Sequence, residues 1–170
     1  MKTLQIALLV IGSVLLQSLL TLLFGGAVFD LVLVAAVIVG LLYGRVAGLL
    51  AGAAGGMLQD ALSGGILGLS GLGKSLVGYL AGLAGTQFIV TQAMPRGLVF
   101  LGATFLNAAC FMGLSVLLGL RQYDGPFFEV AVQGFVNAGA GVLLFYALEQ
   151  APTLRARWNE SLEFRRKRRR

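Results

Sequence analysis

Very few side chains in this sequence could take part in catalysis or hold a metal ion. The chain of 170 residues contains no histidine and one cysteine, Cys110. Zinc and haem sites and disulfides need several such side chains. A Ser-His-Asp set or a Cys-His pair cannot be assembled without histidine. We therefore predict no enzymatic activity, no metal and no cofactor.

One stretch has the spacing of a nucleotide-binding loop. Residues 68–75 match the pattern G-x-x-x-x-G-K-S, in which backbone amides and a lysine, here Lys74, would hold phosphates. The pattern binds nucleotide only as a loop between a buried strand and a helix. Apolar, glycine-rich runs flank it here, and residues 65–67 offer no such strand. We therefore exclude nucleotide binding.

Asp60 closes the third apolar segment, and an ionisable group near a membrane segment is a candidate functional group. It could instead reach the headgroup region or cap the helix that follows, and Lys74 is the partner to test. Four further polar side chains lie within apolar runs. They could hydrogen-bond between helices or line a ligand cavity; they are Gln17, Asn107, Gln133 and Asn137.

The composition indicates a protein dissolved in lipid. Apolar residues make up 58% of the chain and charged residues 12%, against about a quarter charged in soluble domains. The formal net charge of +6 comes from residues 151–170, because residues 1–150 contain equal numbers of basic and acidic side chains. A nucleic-acid-binding protein would spread basic residues over a folded face, so we expect no nucleic-acid partner.

We predict an all-α integral membrane protein with a six-helix transmembrane bundle in residues 1–150 and a basic cytoplasmic tail in residues 151–170. A full span needs about 20 apolar residues, and the second and third segments are short for one. The first is long enough to span, which favours a retained span over a cleaved signal peptide. The segments are Thr3–Phe24, Val28–Leu42, Val46–Ala61, Leu72–Val90, Leu98–Leu120 and Pro126–Leu148.

Basic residues then assign the two sides of the membrane. Lys2, Arg45, Arg96 and the tail all fall on one side of a six-span protein. Lysine and arginine are enriched in cytoplasmic loops, so both termini are expected in the cytoplasm. The end of the tail is either a simple stop-transfer anchor or a segment that attracts anionic lipid; its basic residues are Arg165, Arg166, Lys167, Arg168, Arg169 and Arg170.

Glycines recur every four residues along the third segment and return in the fourth. Residues four apart share one face of a helix, and small residues there allow another helix to approach closely in lipid. That helix could belong to this chain or to a partner. The candidate contact residues are Gly44, Gly48, Gly52, Gly56, Gly78 and Gly82.

Residues 48–63, continuing through 68–80, resemble the family of the rod shape-determining protein MreD. The shared pattern is a glycine-rich helix that ends in an aspartate, a small-residue turn with Leu-Gly, and a helix with a basic residue and a Tyr-Leu pair. The residues that match are Asp60, Gly68, Lys74 and Tyr79. The specific part covers about 35 residues of the chain; the remainder agrees in length, span number and basic end.

The resemblance implies a non-enzymatic scaffold in the bacterial inner membrane that serves cell elongation, rod shape and peptidoglycan synthesis. Its expected partner is MreC, with RodA, a class B penicillin-binding protein and MreB in a larger assembly. The implied fold is similar to the substrate-binding subunits of energy-coupling-factor transporters, so vitamin uptake is the alternative function. Such a subunit needs an outward polar pocket and usually an Ala-x-x-x-Ala face on its first span, which residues 6–16 lack.

Overall fold

The computed structural model describes residues 2–24, 29–87, 93–119 and 127–150. These residues form six α-helices joined by short connections. The helices are α1 (Lys2–Phe24), α2 (Leu31–Tyr43), α3 (Arg45–Ser63), α4 (Leu69–Gln87), α5 (Ala93–Leu117) and α6 (Phe127–Gln150). The protein is therefore all-helical in the described ranges, as the apolar segments predict.

Three of the described helices are long and apolar enough to cross a membrane. The qualifying stretches are Thr3–Leu23 in α1, Arg96–Leu117 in α5 and Val130–Leu148 in α6. Much of their surface carries exposed large apolar side chains, such as Leu8, Leu98 and Phe135. Exposed apolar surface of this extent suits lipid and not water. These features mark the chain as a membrane protein.

Helix α2 forms the centre of the structure. It has 13 residues, and every residue from Val32 to Leu41 is buried. The other five helices all pack against it. At 1.5 Å per residue it is about 20 Å long, shorter than the roughly 30 Å hydrocarbon core of a bilayer. An all-round apolar surface is typical of a helix enclosed by protein, which explains why this short segment is so hydrophobic.

The helices alternate in direction. Gly48, Gly52 and Gly56 of α3 face Gly78, Lys74 and Gly71 of α4 in that order, so the two helices are antiparallel. Helices α5 and α6 are antiparallel as well, because Phe100 faces Gly141 and Thr104 hydrogen-bonds to Asn137. Helices α2 and α4 run parallel, since Asp30 meets Lys74 and Leu41 meets Gly85.

This alternation gives the bundle two distinct ends. One end, which we call the Arg45 end, contains Arg45 beside Gly82, together with the end of α4 and the first turn of α5, where Arg96 lies. The other, the Asp30 end, contains the starts of α2 and α4 and the end of α3. Arg45 and Arg96 therefore lie at the same end of the bundle.

The boundaries differ from the sequence-based segments by a few residues. Helix α3 continues beyond Asp60 to Ser63, and α4 begins at Leu69 instead of Leu72. Pro95 lies in the first turn of α5, where a missing N–H leaves no intrahelical bond unmade. The ends of the predicted segments near Val90, Leu120 and Pro126 lie outside the described residues, as does the tail 151–170.

Candidate functional site

A buried ion pair joins α4 to the start of α2. Lys74 Nζ lies 2.8 Å from Asp30 Oδ2, and the two side chains are 3% and 10% exposed. Lys74 was the partner of Asp60 to be tested, and the structure pairs it with Asp30 instead. The reason is the position and orientation of Lys74. It lies more than one turn inside α4, at the level of Gly52, and its side chain projects toward the parallel helix α2. Asp60 lies beyond it, at the end of the bundle.

The start of α2 is buried, and side chains satisfy its backbone. Asp30 Oδ1 accepts a hydrogen bond from Leu33 N–H at 2.9 Å, a standard helix N-cap. The Gln17 amide donates to Phe29 O at 3.1 Å and accepts from Leu31 N–H at 2.9 Å. The first N–H groups of a helix have no partner within it. Without these contacts they would be unpaired inside the protein, at considerable cost.

The same point is tied to α5 and α6. Asn137 Oδ1 accepts from Asp30 N–H at 2.8 Å, and Asn137 Nδ2 donates to Thr104 Oγ1 at 3.1 Å. Thr104 in turn donates to Phe100 O at 3.0 Å. Gln17 and Asn137 thus perform the inter-helix role that was one of two alternatives for the polar residues. Side chains of α1, α4 and α6 all converge on the first turn of α2.

Asp60 is a capping residue of the α3–α4 connection. Its Oδ2 accepts hydrogen bonds from Gly68 N–H at 2.9 Å and Ser70 N–H at 3.1 Å. Asp60 is buried, and Gly68 has φ +92°, a conformation that glycine adopts without strain. Of the two roles considered for Asp60, the structure supplies the structural one, as a cap of the helix that follows. The negative charge of the Asp60 carboxylate is also favourable beside the N-terminus of α4, which is the positive end of the helix dipole.

The motif residues therefore occupy one hairpin with separate tasks. Asp60 and Gly68 shape its turn, and Lys74 binds Asp30 from its second helix. Tyr79 is half-buried further along α4. The nucleotide-loop pattern at residues 68–75 is helical from Leu69 onward and follows helix α3 instead of a strand. This bears out its rejection as a phosphate-binding loop.

The glycine faces are used within the chain. A Cβ at Gly48 or at Gly78 would overlap the backbone of the other, and a Cβ at Gly52 would overlap the carbonyl of Lys74. Gly56 packs on Gly71 and Gly82 on Arg45. Of the two alternatives for these glycines, the structure shows packing within the chain, because α3 and α4 cover each other. Gly44 differs: it forms the α2–α3 turn with φ +95° and open space around it.

A cleft opens at the Asp30 end, above the start of α2. Its volume is about 590 Å³, and α1, α3 and α6 contribute to its walls. Six of its ten described lining residues have amide or hydroxyl side chains, but apolar atoms form the larger part of the lining surface. The described lining residues are Gln17, Ser18, Thr21, Leu22, Phe29, Asp30, Gln59, Leu62, Ser63 and Gln133. Gln17 and Gln133 thus also meet the second expectation for the polar residues, that of lining a cavity.

At the opposite end, Arg96 is almost fully buried and its guanidinium lies 4.2 Å from the centre of the Phe145 ring. Such a cation–π contact stabilises a desolvated arginine.

In the described ranges no group of three His, Cys, Asp or Glu side chains is placed to hold a metal ion. The basic residues 165–170 lie outside the described residues.

Sequence reasoning missed Asp30 as a site residue. The available signal was its position directly before the uncharged run 31–44, which is where a helix N-cap is expected. Its pairing with Lys74 depends on the packing of α2 beside α4 and has no local signal. Asn107, the fourth polar residue, lies against Gly73 in the α4–α5 contact.

No known protein family, curated protein or solved structure matches this chain.

Proposed function

We propose that this chain is a non-enzymatic membrane scaffold of the bacterial cell-elongation machinery, a relative of MreD that binds MreC through its transmembrane helices. The observation that carries the proposal is the resemblance of residues 48–80. In the structure, Asp60 and Gly68 of that stretch shape the α3–α4 connection, and Lys74 ties α4 to the start of α2 through Asp30. A signature built from such residues preserves a fold, which is what a scaffold requires.

The proposal includes six spans with both termini in the cytoplasm. Six helices alternate in direction, so the first begins and the last ends at the Arg45 end. Arg45 and Arg96 lie at that end, and cytoplasmic segments are rich in such residues. The short α2 crosses inside a shell of other helices. The basic tail then follows α6 on the cytoplasmic side, where anionic lipid attracts it.

The partner's helix must meet a surface that this chain leaves open. Because the α3 and α4 glycines are occupied, the exposed small residues of α5 are the better candidates. Gly102, Ala109 and Gly113 are exposed, and a Cβ at either glycine would meet nothing within 4 Å. Their spacing of seven and four residues places them on one face of α5. A transmembrane helix could approach closely there.

The biological role is tested by depletion in the native host. Loss of the chain should convert rod-shaped cells into round ones, and plasmid-borne wild-type chain should restore the rod. Gly102→Leu should restore it poorly, while Gly12→Leu should restore it fully, because Gly12 is equally open but lies on α1. Cells that stay rod-shaped after depletion would contradict a role in elongation.

One observation favours the alternative, a substrate-binding subunit for vitamin uptake. The polar cleft of about 590 Å³ at the Asp30 end has a volume within the range of small-molecule sites. Under the six-span proposal it faces away from the cytoplasm, as uptake requires. Tight binding of a vitamin by the purified chain, together with failure to retain MreC, would favour uptake over the scaffold.

A further inference from the structure

Two classes of helix build the bundle. Helices α1, α5 and α6 each contain a stretch that is long and apolar enough to span a membrane. Helices α3 and α4 have 19 residues each, but glycine and alanine make up nearly half of α3 and more than a third of α4. Helix α2 is strongly apolar, yet its 13 residues are too few for a full span. By composition or by length, α2, α3 and α4 are therefore weaker spans than the other three.

Helices α3 and α4 each also carry an ionisable side chain among their apolar residues. An ionisable group opposes insertion of a segment into lipid unless it is paired. In the folded protein, Asp60 accepts hydrogen bonds from the N–H groups of Gly68 and Ser70. Lys74 binds Asp30 at the start of α2. The charge of Lys74 is thus compensated by another part of the chain, and this compensation exists once α4 has met α2.

Three glycines, one from each of these helices, meet at one point. Gly48 of α3 lies against Gly40 of α2 and Gly78 of α4, and a Cβ at Gly48 would overlap the backbone of both. A Cβ at Gly40 would overlap the backbone of Gly78 and Gly82. We call Gly40, Gly48 and Gly78 the glycine junction. Because backbones touch there, the three helices gain close packing contacts that lipid does not supply.

We infer that α2, α3 and α4 enter the membrane as one unit, in which packing on α2 holds the α3–α4 hairpin across the bilayer. The hairpin is a conditional pair of spans, whereas α1, α5 and α6 insert through their own apolarity. The inference rests on the six-span arrangement proposed above and adds how that arrangement is reached. A hairpin contributes two crossings, so its failure to insert would leave the orientation of α5 and α6 unchanged.

A change from glycine to leucine separates packing from apolarity as the cause of insertion, because it makes the segment more apolar and at the same time prevents close contact. Gly48→Leu and Gly78→Leu both disrupt the glycine junction. Ala54→Leu also makes α3 more apolar, but Ala54 is exposed, so this variant is the matched control. If apolarity governed insertion, all three variants would cross the membrane at least as well as the wild type.

The test is cell-free synthesis of the full chain with inside-out vesicles of bacterial inner membrane, where cellular proteases do not remove misinserted protein. The reporters are Leu67→Cys in the α3–α4 connection and Leu118→Cys after α5, each made with Cys110→Ser and both at exposed positions. An impermeant maleimide labels cysteines on the cytoplasmic face of these vesicles. We expect both reporters to be protected in the wild type and in Ala54→Leu.

In the two junction variants, the labelled fraction of Leu67→Cys should rise at least threefold, while Leu118→Cys stays protected. Unchanged protection of Leu67→Cys in both junction variants would overturn the inference and leave the six-span proposal intact. Labelling of both reporters in the junction variants would show that α5 also depends on the junction, which contradicts the inference. Labelling of Leu67→Cys in the wild type would overturn the six-span proposal and the inference with it.

Discussion

Lys74 and Asp30 are 44 positions apart in sequence, and their side chains meet at 2.8 Å inside the bundle. Asp30 also caps α2, and its backbone N–H binds Asn137 of α6. One carboxylate thus fixes where the central helix begins and which helices surround that point. The stability of the bundle should depend on this pair.

Removing the lysine alone should be strongly destabilising. Lys74→Met leaves the Asp30 carboxylate buried without its counter-charge, and breaking a buried pair in this way costs about 3–5 kcal/mol. The measurement is the midpoint of denaturant unfolding of the purified protein in detergent. Asp30→Asn combined with Lys74→Met should be more stable than Lys74→Met alone, since no charge stays unpaired. A double variant that is no more stable than Lys74→Met alone would show that the two side chains do not interact.

The glycine contacts predict a sharp difference between two alanine substitutions. Gly48→Ala should destabilise the protein by about 1–3 kcal/mol or more, because its methyl group would overlap Gly78 and force α3 and α4 apart. Gly12→Ala adds the same methyl group where nothing lies within 4 Å, so its unfolding midpoint should stay within error of the wild type. A tolerated Gly48→Ala would mean that α3 and α4 are not in close contact.

Asp60 should be replaceable by a residue that still accepts hydrogen bonds. Asp60→Asn keeps one oxygen for Gly68 and Ser70 and should retain most of the stability. Asp60→Ala removes the cap and should cost about 1–2 kcal/mol. Thermal unfolding in detergent distinguishes the two. If Asn is as harmful as Ala while the protein still folds, the negative charge itself has a role beyond capping.

The two ends of the bundle should be accessible from opposite sides of the membrane. Leu67→Cys at the Asp30 end and Val46→Cys at the Arg45 end are both at exposed positions, and each is made with Cys110→Ser. In intact spheroplasts a membrane-impermeant maleimide should label Leu67→Cys but not Val46→Cys. Permeabilisation should expose both. The opposite pattern would invert the proposed orientation.

The positions of the helices could be predicted from sequence because each is an apolar run, and glycine, proline or charged residues separate one run from the next. The end of α3 could not be placed exactly, because Asp60 is followed by Ala61 and Leu62, which continue a helix as readily as they end one. The αL conformation at Gly64, with φ +69°, is the local stop. Such stops are hard to choose among several neighbouring glycines.

The partners of the site residues could not be predicted, since sequence spacing is silent on distant contacts. Asp60 was the candidate partner for Lys74 because a six-span arrangement places both on the outer side of the membrane. In the structure the Lys74 side chain projects toward α2 and binds Asp30. The glycine pattern likewise indicates that a close helix exists without saying whose helix it is. The structure answers that question through the contact of Gly48 with Gly78.

The most direct measurement of the central claim is co-purification with MreC from the same source, both proteins expressed together and extracted in detergent. We predict that the wild-type chain retains MreC and that Gly12→Leu does so equally. Gly102→Leu, on the exposed face of α5, should retain less while unfolding at the wild-type temperature. A wild-type chain that folds, yet retains no MreC, would contradict the scaffold proposal.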